Sequence, residues 1–190
     1  MDPIILFIHD LFNKRGGDPY GAEEVTQVQH ALQCGLLANE ANASPALVSA
    51  ALLHDIGHIL SKDPLLDSSN ENFDDKHELR ANGWLKQHFG PEVADPVRLH
   101  VPAKRYLCTV DTRYESILSP TSRQSFYDQG GPMNGAERAA FEREPFFNEA
   151  LEMRKWDDLA KDAARTTPQL EAFNEILEQS LEARRQDGSL

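Results

Sequence analysis

Leu52-Leu53-His54-Asp55-Ile56-Gly57-His58 is the stretch that decides how this chain folds and what it holds. An imidazole and a carboxylate stand side by side inside an apolar run. Burying two ionisable groups without a partner is costly, so the His54-Asp55 pair reads as metal-binding. The flanking residues place it in a helical core. Ser44-Pro45 starts a helix with Leu47, Val48, Ala51 and Leu52 on its inner face, and Gly57 loosens its end. The two oxygens of Asp55 allow it to bridge two ions.

More ligands lie outward from this pair: His30 before it, then His77, His100 and Asp157 after it. Six nitrogen and oxygen ligands are too many for one closed tetrahedral site and enough for two ions with open positions. The four histidines divide two to each ion, and Asp157 adds a second carboxylate to one of them. Mixed imidazole and carboxylate ligation suits iron or manganese, with zinc also open. His9 and His88 read as ordinary helix-surface or helix-end residues. Cys34 and Cys108 show no CxxC spacing and read as reduced thiols of a cytoplasmic protein, not as ligands.

Nearly all of the remaining chain reads as helix. Asp2-Pro3 opens the first and Gly16-Gly17 closes it; residues 18–21 turn. Val25, Val28, Leu32 and Leu36 give one face of a helix over 23–39 that carries His30. A polar loop containing Pro64 is expected over 60–72, then a helix over 73–89. A short helix over 91–99 leads into His100. A helix near 111–118 is followed by a Ser-rich loop. Further helices are expected over 134–143, 145–161 and 168–184. No alternating pattern, repeat or linker divides the chain. It is expected to be one all-α domain over 1–190, with its metal-binding core over about 20–161.

The chain has 190 residues, 31 acidic against 19 basic, for a net charge of −12. Binding nucleic acid needs a basic face, so nucleic acid is not the expected partner. No stretch reaches the roughly 18 apolar residues that span a membrane. A small anion held by a local cluster of cations remains compatible with this balance. His54 and His58 are four apart, Asp157 and Arg154 three apart, and His100 and Lys104 four apart, although Pro102 interrupts a regular helix there. Three cation-capable groups thus point toward the ligands, and an anion bound at the metals would attract them.

The ordered set His30…His54-Asp55…His77…His100…Asp157 resembles the HD-domain superfamily, in its six-ligand dinuclear branch. Within that branch the chain is most similar to the mixed-valent diiron oxygenases, the group of myo-inositol oxygenase and the organophosphonate-cleaving oxygenases. The resemblance covers residues 20–161 and implies a compact HD-domain bundle, two Fe ions as an Fe(II)/Fe(III) pair, dioxygen, and a small phosphonate substrate. It places His58, Lys104, Ser122, Ser125 and Arg154 at the positions that hold the phosphonate. Tyr20 and Glu23, in Pro19-Tyr20-Gly21-Ala22-Glu23, match a lid. There the tyrosine occupies an open iron position until substrate arrives, and the glutamate faces the substrate amine. Tyr20, Glu23, His58 and Lys104 are thereby the expected catalytic contacts.

The implied reaction is oxidative cleavage of a carbon–phosphorus bond. The expected substrate is an α-hydroxylated (trimethylammonio)ethylphosphonate, giving glycine betaine and phosphate. The same reaction on 2-amino-1-hydroxyethylphosphonate would give glycine. A dinuclear HD phosphohydrolase shares the ligands and the cations but has no need of Tyr20 and Glu23 as a gate. A regulatory HD protein without turnover is a third reading.

Overall fold

The computed structural model describes residues 1–60 and 76–186, with side chains over 76–80 excepted. Among these residues there is no strand, only an isolated bridge between Pro19 and Thr26, and the fold is all-α. The loop expected over 60–72 and the first residues of the helix expected over 73–89 lie outside the described residues.

The first helices begin where their caps dictate. Helix α1 spans Pro3–Arg15; the Asp2 carboxylate accepts from the Ile4 amide at 2.8 Å. Helix α2 spans Gln27–Glu40. It starts four residues later than the apolar spacing alone predicts, because Thr26 and Gln29 form a reciprocal capping box. The freed residues 18–26 make a loop fastened by Tyr20 N to Val25 O (3.0 Å) and Gln27 N to Asp18 O (2.9 Å). Helix α3 spans Pro45–Leu53, capped by Ser44, and α4 spans Ile56–Leu60. His54 and Asp55 occupy the break between them.

Helix α5 (Lys76–Phe89) and α6 (Pro91–Val110) meet at Gly90. Gly90 has φ 83°, in the left-handed region that glycine enters without steric cost. Helix α6 is continuous over 20 residues through Pro96 and Pro102, where the sequence predicts a stop near Leu99. An interior proline costs about 3 kcal/mol. Against this, α6 buries Val93, Val97, Leu99 and Leu107, among others. Each such side chain is worth roughly 1.5–3 kcal/mol when buried, so packing outweighs the two lost backbone bonds.

Helices α7 (Tyr114–Ile117), α8 (Pro120–Asp128), α9 (Gly135–Phe141) and α10 (Phe147–Leu159) follow. Helix α8 replaces the expected Ser-rich loop: Ser119 caps it, and Pro120 stands at its first position. A 3-10 turn, Leu170–Phe173, leads into α11, Asn174–Gln186.

Helix α3 is the axis of the core. Val48 through Leu53 are all buried, as suits a short helix enclosed on every side. Helices α2, α6, α10 and α11 surround it. The polar exception, Ser49, hydrogen-bonds the Ser180 hydroxyl at 2.9 Å. A second cluster joins Leu99 and Ala103 of α6 to Ala150 of α10, together with Phe141. These two clusters hold α2, α3, α6 and α10 as the rigid frame from which the ligands project.

Candidate metal centre

His30 of α2, His54 and Asp55 of the α3–α4 break, His100 of α6 and Asp157 of α10 converge in the interior. His30, His54 and Asp157 are at most 3% exposed, which makes their charge states matter. The three imidazoles are held alike. His30 Nδ1 lies 2.8 Å from Ala160 O, His54 Nδ1 2.9 Å from Ala51 O, and His100 Nδ1 2.6 Å from Val97 O. A carbonyl only accepts, so each Nδ1 carries a proton, and each ring in its neutral form offers an Nε2 lone pair. This is how metal-ligating histidines are oriented.

The Nε2 atoms face one another. His30 Nε2 and His54 Nε2 are 3.2 Å apart. Asp55 Oδ2 lies 3.1 Å from His54 Nε2 and 3.7 Å from His30 Nε2. Asp157 Oδ1 lies 3.4 and 3.9 Å from the same two nitrogens and is a buried oxygen with no hydrogen-bond partner. Four ligand atoms thus crowd one point. Such an arrangement fits a bound cation and is unfavourable without one. The donor set of two imidazoles and two carboxylates suits iron or manganese, with zinc also open.

Charge follows the same logic. Burial opposes ionisation of Asp55, but His54 beside it holds its carboxyl well below the usual range. Burial likewise disfavours a charged His54, but Asp55 outweighs it and raises the ring to about 9, so the Nε2 beside Asp55 takes either a proton or a cation. Asp157 is buried too, and the Arg154 guanidinium holds it ionised. Arg154 Nη1 is 2.7 Å from Asp157 Oδ2, leaving Oδ1 for the centre. The rest of that guanidinium is taken by Asp158, with Nε to Oδ2 at 2.9 Å and a second contact through Nη2. Tyr114 also donates to Asp158, at 2.8 Å.

Asp55 has a second oxygen, and Oδ1 lies 3.8 Å from His58 Nε2. His100 packs edge-on to His54, ring centroids 5.6 Å apart. Asp55 therefore faces His30 and His54 with one oxygen and a second region, bordered by His58, with the other. His77 is in the first turn of α5, and its side chain lies outside the described residues.

Tyr20 closes the centre from the 18–26 loop. Its ring stacks on His30 at 3.9 Å between centroids, and Asp55 acts on its phenol. Burial and then the Asp55 charge keep the phenol protonated. Glu23 fastens the same loop by accepting from Ser119 Oγ at 2.5 Å. Lys104 Nζ donates to Ser125 Oγ at 2.5 Å and Lys161 Nζ to Ser122 Oγ at 2.6 Å.

Two residues at the centre escape a reading of spacing alone. Cys34, one turn beyond His30 on α2, has its Sγ 3.8 Å from His30 Nε2. Ligand atoms of His30, Cys34 and His54 lie within 4.8 Å of one another. The other is Lys161. Its one signal is the four-residue step from Asp157, easily taken for a surface lysine.

With this geometry the chain compares directly with known proteins. The HD domain family matches residues 28–162, and the chain belongs to that family. It is 42% identical over 168 residues to a hydroxymethylphosphonate dioxygenase of Gimesia maris, over 87% of this chain and 83% of the relative. It is 38% identical over 165 residues to the glycine-betaine-forming 1-hydroxy-2-(trimethylamino)ethylphosphonate dioxygenase of Leisingera caerulea, over 87% of this chain and 84% of the relative.

Proposed function

We propose that this chain is a dioxygen-using oxidoreductase that cleaves the carbon–phosphorus bond of an α-hydroxyphosphonate at a pair of iron ions. The carrying observation is the set of Nδ1-anchored imidazoles turned toward an unpartnered Asp157 oxygen. Lysine–serine pairs beside it offer a place for a phosphonate. Two relatives named as phosphonate dioxygenases support the same reading.

The balanced reaction takes R–CH(OH)–PO3²⁻ and O2 to R–COO⁻, HPO4²⁻ and H⁺. His30, His54, Asp55 and Asp157 would hold one iron, and Asp55 with His77 and His100 the second. Bound there, the pair supplies the redox chemistry that activates dioxygen. The chain's own groups do the rest. Lys104, Ser122, Ser125 and His58 bind the phosphonate oxygens, while Arg154 keeps Asp157 ionised and adds positive field. Tyr20, held protonated against Asp55, covers the centre until substrate displaces it.

The group R meets Glu23. The finer reading is a trimethylammonio substrate, for which a carboxylate and aromatic faces are the suitable wall, giving glycine betaine. The free-amine substrate fits the same wall. The Ser119–Glu23 bond favours a second reading, hydroxymethylphosphonate giving formate, because it already occupies that carboxylate.

The test is anaerobic iron loading followed by these three phosphonates, with oxygen uptake and phosphate release recorded together. One phosphate per dioxygen is expected from at least one of them. Phosphate released without oxygen uptake would overturn the oxygenase and point to hydrolysis.

A further inference from the structure

We propose that Lys161 is a second phosphonate-binding cation, forming with Lys104 a clamp whose spacing is set by Ser122 and Ser125 of α8. The identity of the anion rests on the function proposed above; the existence of the clamp rests on geometry. Ser122 and Ser125 are three residues apart on one helix face, and each accepts from one ammonium. The Ser122 amide is itself held by the Ser119 hydroxyl at 3.1 Å, so the pair stands on a capped helix end.

Both lysines are enclosed. Lys104 is 2% exposed, and the Lys161 side chain 10%. A hydroxyl satisfies a donor but neutralises nothing. Lys104 makes no ion pair among the described residues. Among the described residues Lys161 pairs only with Asp158, at 3.8 Å, and Asp158 already serves Arg154 and Tyr114. Lys104, Arg154 and Lys161 therefore share Asp158 and one oxygen of Asp157. A buried surplus of positive charge is costly unless an anion answers it. A phosphonate dianion answers it with two charges and three acceptor oxygens.

Position supports the role. Lys161 follows Ala160, whose carbonyl holds the His30 ring, so its backbone is fixed relative to the metal centre. Its charge is felt at Cys34 beside the histidines and at Lys104. Burial, then Arg154, pushes Lys104 down to about 8, with Lys161 adding to the effect.

The experiment measures inorganic phosphate binding to the iron-loaded, anaerobic full chain by calorimetry. It compares wild type with Lys161→Met, Lys161→Arg and, as a control, Lys155→Met. Lys155 pairs with Glu152 on an exposed face. Losing a charge-assisted bond should weaken phosphate roughly tenfold or more in Lys161→Met. Lys161→Arg should recover most of this, with iron content unchanged in both. Lys155→Met should match wild type. In turnover, KM for the phosphonate should rise by a similar factor while kcat changes little. An unchanged phosphate Kd in Lys161→Met, or an equal loss in Lys155→Met, overturns the clamp. If wild type cleaves no phosphonate yet Lys161→Met still weakens phosphate, the reaction falls and the clamp stands.

Discussion

The two oxygens of Asp157 face opposite demands. One is locked to Arg154, the other is left bare among imidazole nitrogens. The same economy appears at Lys104, buried beside like charges and pushed down to about 8. Arg154 and Lys161 lower it, while Asp157 and Asp158 oppose the fall. The cation exists below that pH and is lost above it. KM for a phosphonate should therefore climb above about pH 8, by at most roughly tenfold per pH unit, and the climb should vanish in Lys104→Met. A flat profile to pH 9.5 would reject the assignment. Stability moves the other way. The unfolded lysine near 10.5 still binds a proton that the folded one has released, so this group's contribution rises with pH between about 8 and 10.5. The convergence of His30, His54, Asp55, His100 and Asp157 is legible in the sequence because ionisable groups in apolar helices need partners. Arg154 is less so. Spacing puts it within reach of both Asp157 and Asp158, and the fold shows one guanidinium holding the two at once.

Among the elements, α8 carries the most consequences for its nine residues. Its cap, Ser119, accepts from the Ser122 amide and donates to Glu23 of the loop bearing Tyr20. Ser119→Ala should cost about 1 kcal/mol in chemical unfolding. It should also release Glu23, so that the ratio of kcat/KM between trimethylammonio and hydroxymethyl substrates shifts toward the cationic one. A loss of stability with an unchanged ratio would confine Ser119 to capping. The Ser-Pro start of α8 was visible in the sequence but masked by the polarity of the residues after it. Helix α6 hides in the opposite way: Pro102 signals a stop, and only the buried face running from Val93 to Cys108 shows why the helix continues. Boundaries set by caps, such as Asp2 and Ser44, are readable because a single side chain decides them.

At the scale of the molecule, the core and the centre are one construction, since α2, α3, α6 and α10 both pack together and supply the ligands. Stability should accordingly depend on the ions. At free metal about 1,000 times Kd, binding contributes roughly 4 kcal/mol. For a chain of this length that corresponds to roughly 10 °C in Tm. Chelation should lower Tm by about that amount and restoring iron should return it; an unchanged Tm would separate the core from the centre. The Lys104–Arg154–Lys161 group is a cluster of enclosed cations in a protein whose net charge is −12.

The hydrogen bond from His30 to Ala160 spans 130 positions of the chain. During synthesis His30 emerges long before the carbonyl that holds its Nδ1. A growing polypeptide thus cannot bring this set of side chains together until Asp157 and Ala160 have been made and docked.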